Sequence, residues 1–155
     1  MRTALLLVLV LSTAACGGSD NGSPTGPTPF VANFGGVWVG TWQRQGCTET
    51  GGAVGACSAL PTSGGLRLSL TQAGSDVQGT VEIGTVVTNV TGTITSNTLS
   101  LTGNGRFESF AVTVSNWSTR VSGATMSGTF SFTLIPDDTS GGTVIIQASL
   151  QNVGK

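Results

Sequence analysis

The 155-residue chain contains no histidine and no tyrosine, and its only lysine is the terminal Lys155. These absences remove the usual general bases and the Ser–His pair that activates a serine nucleophile. A glycosidase-like pair of Glu82 and Glu108 is the remaining option. However, Glu82 alternates with apolar Val81 and Ile83, so its side chain is expected to face solvent. We predict no enzymatic activity and no catalytic residue.

Charge is also scarce, because only 8% of the residues are charged and the net charge is −1. Proteins that bind nucleic acid or an anionic membrane surface through electrostatics need a basic patch, which this composition does not offer. Cys47 and Cys57, two cysteines without a histidine, make a poor metal site. We therefore expect no nucleic-acid partner, no metal and no cofactor.

Long apolar runs are absent except at the N-terminus, where residues 4–11 form a run of eight. As a helix this run covers about 12 Å, far less than a bilayer core of about 30 Å. Arg2 precedes it, and small residues follow it up to Ala15. This is the pattern of a signal peptide, predicted to span residues 1–15.

The sequence Ala14-Ala15-Cys16 resembles the processing site of bacterial lipoproteins, although Thr13 stands where leucine is usual. The resemblance implies that Cys16 is lipidated, carries fatty acyl chains such as palmitate, and anchors the protein to a membrane. Gly17 after the cysteine favours the outer membrane, with the domain in the periplasm or at the cell surface. The alternative is ordinary secretion with a free Cys16.

A segment rich in glycine, serine and proline follows Cys16 and has the composition of a flexible tether. Its thirteen residues 17–29 reach about 45 Å at most. The predicted organisation is a signal peptide over residues 1–15, a lipidated cysteine with a tether over 16–33, and a β domain over 34–155.

Three cysteines are an odd number for an exported protein, but lipidation of Cys16 leaves Cys47 and Cys57 as a pair. An oxidising compartment favours a disulfide between them. A loop of about ten residues closed in this way stabilises the fold by about 2 to 3 kcal/mol. Metal binding by the two thiols is the alternative.

The domain shows a hydrophobic period of two, which is typical of half-buried strands, and no apolar spacing of helical type. Short turns rich in Gly, Asn and Asp join most strands, including one predicted at residues 103–106, and a single long connection spans residues 44–65. Such turns favour an all-β, up-and-down antiparallel β-barrel of about eight strands; a β-sandwich is the alternative. The predicted strands are 36–43, 66–71, 77–83, 90–95, 99–101, 110–114, 126–134 and 143–151.

A repeat of Gly-Thr followed by a large apolar residue runs through these strands. When the alternating large apolar residues of these strands face the core, Gly40, Gly79, Gly92 and Gly128 point inward with them. Inward glycines allow a strand to coil sharply, or they leave room for a ligand. Curvature is the favoured interpretation, with a ligand cavity as the alternative.

Gly36-Val37-Trp38 resembles the Gly-x-Trp motif on the first strand of lipocalins, and the long connection after this strand resembles their lid loop. The chain lacks the Thr-Asp-Tyr element and the C-terminal helix of that family. A faint similarity to avidins is also present around Trp117. The lipocalin resemblance implies that Trp38 closes one end of the barrel and Trp42 stands in a cavity. The alternative is that Trp38 and Trp42 are both aromatic residues of a packed core.

The inward positions are almost entirely apolar, so a cavity in this barrel is expected to take an apolar ligand. The candidate ligand-binding residues are Trp42, Leu68, Val81, Phe110 and Phe130. The sequence thus predicts a lipid-anchored envelope protein that binds a small apolar molecule. The alternative is a filled barrel that serves as a structural or protein-interaction module of the cell envelope.

Overall fold

The computed structural model describes residues 31–138 and 141–155, so Cys16 and most of the predicted leader and tether lie outside it. Eight antiparallel strands pair in sequence order, and the first pairs with the last. The predicted up-and-down β-barrel is confirmed, and the β-sandwich alternative is wrong. The strands are β1 (Gly36–Thr50), β2 (Ser63–Ala73), β3 (Asp76–Ile83), β4 (Val86–Thr95), β5 (Thr98–Phe107), β6 (Phe110–Ser122), β7 (Thr125–Pro136) and β8 (Thr143–Gly154).

Five of the seven connections are two-residue hairpin turns. The first residue of each turn has a positive φ, which is what the hairpin turns that match strand twist require. These residues are Gly74, Gly84, Ser96, Glu108 and Gly123. The two longer connections, 51–62 and 137–142, lie at the same end of the barrel, called the loop end below. The first of them contains a 3₁₀ turn (Gly51–Ala53) and a one-turn helix, α1 (Ala56–Ala59). None of the helices in the described residues is long and apolar enough to cross a membrane.

Strand β1 is longer than its pattern suggests, because it continues to Thr50 and leaves a connection of residues 51–62 instead of 44–65. The extension lacks strict alternation, but it pairs with β8 from Arg44 opposite Ala148 to Thr50 opposite Thr143. A register shift between Arg44 and Gly46 interrupts this pairing. Tertiary pairing therefore imposes a strand that local sequence does not specify.

The turn predicted at residues 103–106 is wrong, because these residues lie inside β5. Gly103 pairs with Val90 and with Val114, and the actual turn follows at Glu108 and Ser109. A Cβ added at Gly103 would overlap the carbonyl oxygen of Asn89 on β4. This glycine is therefore needed for close approach of two strands, not for a turn.

The inward glycines of the Gly-Thr repeat also lie too close to the adjacent strand to carry a side chain. A Cβ at Gly79, Gly92 or Gly128 would overlap a backbone carbonyl oxygen of the adjacent strand, and one at Gly40 would lie 2.7 Å from the Cα of Val153. Such contacts leave no space for a ligand at these positions. The structure thus favours the curvature interpretation of the repeat.

The end opposite the loop end, called the plug end, is covered by the segment that precedes β1. Phe34 and Trp38 are completely buried there, and the Trp38 indole donates a hydrogen bond to the carbonyl of Phe34 (2.7 Å). The side-chain amide of Gln72 holds the segment, since it accepts from the Phe34 N–H (2.7 Å) and donates to the Ala32 carbonyl (3.0 Å). Because Ala32 is buried as well, the folded unit extends at least to this residue.

The close approach at Gly103 gives a stability prediction. Gly103→Ala should lower the free energy of unfolding by about 2 to 3 kcal/mol, because β4 and β5 must separate to admit the methyl group. Urea denaturation measures the change. Gly65→Ala is the matched control, since a Cβ at Gly65 has no atom within 4 Å. Equal stability of the two variants would contradict the close-packing argument.

Candidate functional site

A cavity of about 280 Å³ lies at the loop end of the barrel. Ile83, Val86, Phe107, Phe132, Leu134 and Ile146 contribute apolar side chains from five strands, and Trp42 contributes its indole from β1. The connection 51–62 supplies Leu60 and Pro61, while Ser63, Gly64, Gly84 and Thr85 complete the lining. Several of these last residues are exposed, so this loop-end cavity reaches the protein surface.

Aromatic side chains form a continuous row from the middle of the barrel to this cavity. Trp117 stacks on Phe130 with ring centroids 4.7 Å apart, and Phe130 lies 6.1 Å from Phe132. Phe132 meets Trp42 edge to face at 5.6 Å. Aromatic pairs at these separations contribute about 0.5 to 1.5 kcal/mol beyond their buried area. The row therefore gives the cavity wall a rigid support.

The three indole groups differ in their hydrogen bonding. Trp38 Nε1 donates to the carbonyl of Phe34, and Trp117 Nε1 donates to the hydroxyl of Thr119 (3.0 Å). Trp42 is only 3% exposed, yet its Nε1 has no hydrogen-bond partner among the described residues. Buried polar groups are nearly always hydrogen-bonded, so this free donor in the lining of the cavity is an exception that needs an explanation.

A disulfide between Cys47 and Cys57 ties the loop beside the cavity to β1, as the cysteine count predicted. Arg44 reinforces the same connection from β1. Its guanidinium Nη1 donates to the carbonyls of Cys57 (2.7 Å) and Leu60 (3.3 Å). Since Leu60 lines the cavity, these bonds hold one wall of the site in place.

Glu49 fixes the other side of the loop. Its carboxylate accepts hydrogen bonds from the backbone N–H groups of Cys57 and Gly55, both at 2.8 Å. These bonds lower the pKa of Glu49 below its ordinary value of 4.5, and the bond from Cys57 has the larger effect. They stabilise the ionised form because both donors point at the carboxylate oxygens.

The sequence-predicted ligand residues are divided among three regions. Trp42 lines the loop-end cavity, whereas Leu68, Val81 and Phe130 are buried in the barrel core outside its lining. Phe110 lines a neighbouring depression of about 290 Å³ between the connections 51–62 and 137–142. The structure therefore brings only Trp42 of the five to the cavity.

Three of the lining residues that the sequence prediction missed occupy the inward positions at the loop-end termini of their strands. Ile83 is the last residue of β3 and Val86 the first of β4, while Phe107 ends β5. Their inward phase follows from alternation, but their depth in the barrel depends on register. A search restricted to inward residues that flank the loop-end turns would have identified these three.

Other concave regions are less suited to an enclosed ligand. One of them, of about 670 Å³, lies on the outer face of β2 to β5 and is bordered by exposed Thr71, Gln78, Thr91, Thr93 and Thr102. Within residues 31–138 and 141–155, no group of three or more His, Cys, Asp or Glu side chains could hold a metal ion.

The bonds of Glu49 give a pH-dependent prediction. Because the pKa of Glu49 is lower in the folded protein than in the unfolded chain, these bonds stabilise the loop above pH 4.5 and this stabilisation is lost as the pH falls through the folded pKa. The amide proton signals of Gly55 and Cys57 should titrate with a midpoint below 4.5 in NMR spectra. Glu49→Gln should abolish this titration. A midpoint above 4.5 would contradict the assignment.

In comparisons with known proteins, the chain matches no protein-family model, no curated protein and no solved structure.

Proposed function

We propose that this protein is an exported, lipid-anchored β-barrel that binds a small apolar molecule in the loop-end cavity. The observation that carries the proposal is the lining of this cavity, which combines a buried tryptophan with aliphatic and phenyl side chains and contains no ionisable residue. Apolar walls with very few polar groups are the usual character of small-molecule sites.

The size of the cavity limits the ligand. Its volume of about 280 Å³ is slightly below the usual range of small-molecule sites, which is about 300 to 1,000 Å³. A short acyl chain or a single hydrophobic ring system fits such a volume. Eight-stranded barrels have interiors that either fill with side chains or hold one small ligand, and this barrel combines a packed core with space at one end.

The lipid anchor is proposed from Cys16 and its preceding small residues, with the outer membrane as the expected site. The described part of the chain starts at the plug end, where Gln72 holds residues 32–35 against the barrel. An anchor N-terminal to this segment is therefore attached to the end of the barrel opposite the cavity.

One measurement tests both parts of the proposal. The protein is purified from the membrane fraction of a bacterial host that processes lipoproteins, and its mass is measured under native and denaturing conditions. The denatured protein should begin at Cys16 and carry the added mass of a diacylglyceryl group and an acyl chain. The native protein should carry a further small molecule that denaturation releases.

Cys16→Ser is the control for the anchor, because the variant keeps the domain intact and should leave the membrane fraction. Membrane association of this variant equal to that of the wild type would contradict the anchor. If the native protein carries no bound molecule and added apolar probes do not bind, the proposed ligand binding is contradicted. This result would favour the filled barrel that acts as an interaction module.

A further inference from the structure

We propose that the ligand carries one neutral hydrogen-bond acceptor, such as a ketone, ester, ether or amide oxygen, which accepts from the indole N–H of Trp42. This inference rests on the proposed function and specifies the chemical class of the ligand. The acceptor belongs to an otherwise apolar body, because the rest of the lining consists mainly of aliphatic and aromatic carbon.

The first argument is the missing partner of Trp42. A buried donor without an acceptor destabilises the folded protein, since it has lost its bonds to water. The indoles of Trp38 and Trp117 both have partners, so the fold satisfies buried indole groups elsewhere. Only the indole that lines the cavity lacks an acceptor among the described residues. A ligand oxygen provides the acceptor that the protein does not.

The second argument is the close approach of Gly64 to this N–H group. Gly64 lies opposite Trp42 in the pairing of β1 with β2, and both residues line the cavity. A Cβ at Gly64 would lie 2.9 Å from Trp42 Nε1. Any other residue at this position would therefore place a side chain against the indole nitrogen, whereas glycine keeps this side of the N–H group free of one. The adjacent Gly65 has no such neighbour, since nothing lies within 4 Å of a Cβ built there.

The third argument concerns charge. The lining contains no Lys or Arg side chain, and the nearby Arg44 guanidinium already donates to the carbonyls of Cys57 and Leu60. An ionised carboxylate buried without a cationic partner is strongly disfavoured. The acceptor of the ligand is therefore neutral, which excludes a fatty acid in its ionised form.

A second buried polar atom, the hydroxyl oxygen Oγ1 of Thr88, also lacks a partner among the described residues. Thr88 is completely buried and lies two residues along β4 from Val86, but it is not part of the cavity lining. It therefore serves as an internal control. Thr88→Val removes an unpaired polar group of the barrel interior without changing the surface that the ligand contacts.

The test uses three eight-carbon probes: octane without an acceptor, 2-octanone with a neutral acceptor, and octanoate with a charged one. Binding is followed by NMR through the methyl signals of Ile83 and Ile146, which line the cavity. The three indole N–H signals are recorded in parallel, and the Trp42 signal is assigned by its loss in Trp42→Phe. On addition of 2-octanone, the Trp42 signal should move downfield, while octane should leave it almost unchanged. At neutral pH, octanoate should bind at least about a hundredfold more weakly than 2-octanone.

The variants separate the hydrogen bond from simple apolar contact. Trp42→Phe should weaken 2-octanone binding about tenfold more than octane binding, because only the ketone loses a hydrogen bond. Gly64→Ala should abolish the downfield movement although the indole is still present. Gly65→Ala and Thr88→Val should respond like the wild type. Because the wild-type indole signal is itself a readout, the test holds even if one variant fails to fold.

The outcomes are distinct. The methyl signals could respond equally to octane and 2-octanone while the Trp42 signal does not move. This result would overturn the proposal that the ligand carries an acceptor, but the apolar site would remain. Octanoate binding as tight as that of 2-octanone at neutral pH would overturn the neutral class. No response of the cavity methyl signals to any probe would overturn the proposed function itself.

Discussion

The pairing of β8 with β1 is the interaction on which the rest of the structure depends, because it closes the sheet into a barrel. Closure removes free strand edges and limits the interior to a narrow space. Inward glycines such as Gly79, Gly92 and Gly103 permit it, since their backbones touch the neighbouring strand where a side chain would not fit. The same pairing extends β1 as far as Thr50, which places Cys47 and Glu49 where they can hold the loop.

Closure leaves two ends with different roles. At the plug end, Phe34 and Trp38 are fully buried and Gln72 binds the preceding backbone, so the core there is sealed. At the loop end, the disulfide and Arg44 position the connection 51–62 beside an apolar cavity. Packed side chains thus close the plug end, while the disulfide and Arg44 hold the loop end around the cavity.

Much of the fold could be predicted from the sequence, because strict alternation in segments such as residues 66–71 reports directly which side chains face the core. The disulfide could be predicted because the lipidation expected at Cys16 leaves only Cys47 and Cys57 to pair. The extension of β1 could not be predicted, since residues 44–50 show no alternation and form a strand only through β8. The lining of the cavity could not be predicted from the sequence either. Leu68 and Ile83 both point inward, but only Ile83 lies at the level of Trp42 in the barrel. Depth depends on register, which no single strand encodes.

Trp42 borders an apolar cavity at the loop end of the barrel. Crystallography under xenon pressure probes this cavity, because xenon enters apolar cavities without needing a polar partner. We expect a xenon atom bounded by Trp42, Ile83 and Phe132. A cavity filled by repacked side chains, or one occupied by ordered water with no xenon, would contradict this expectation.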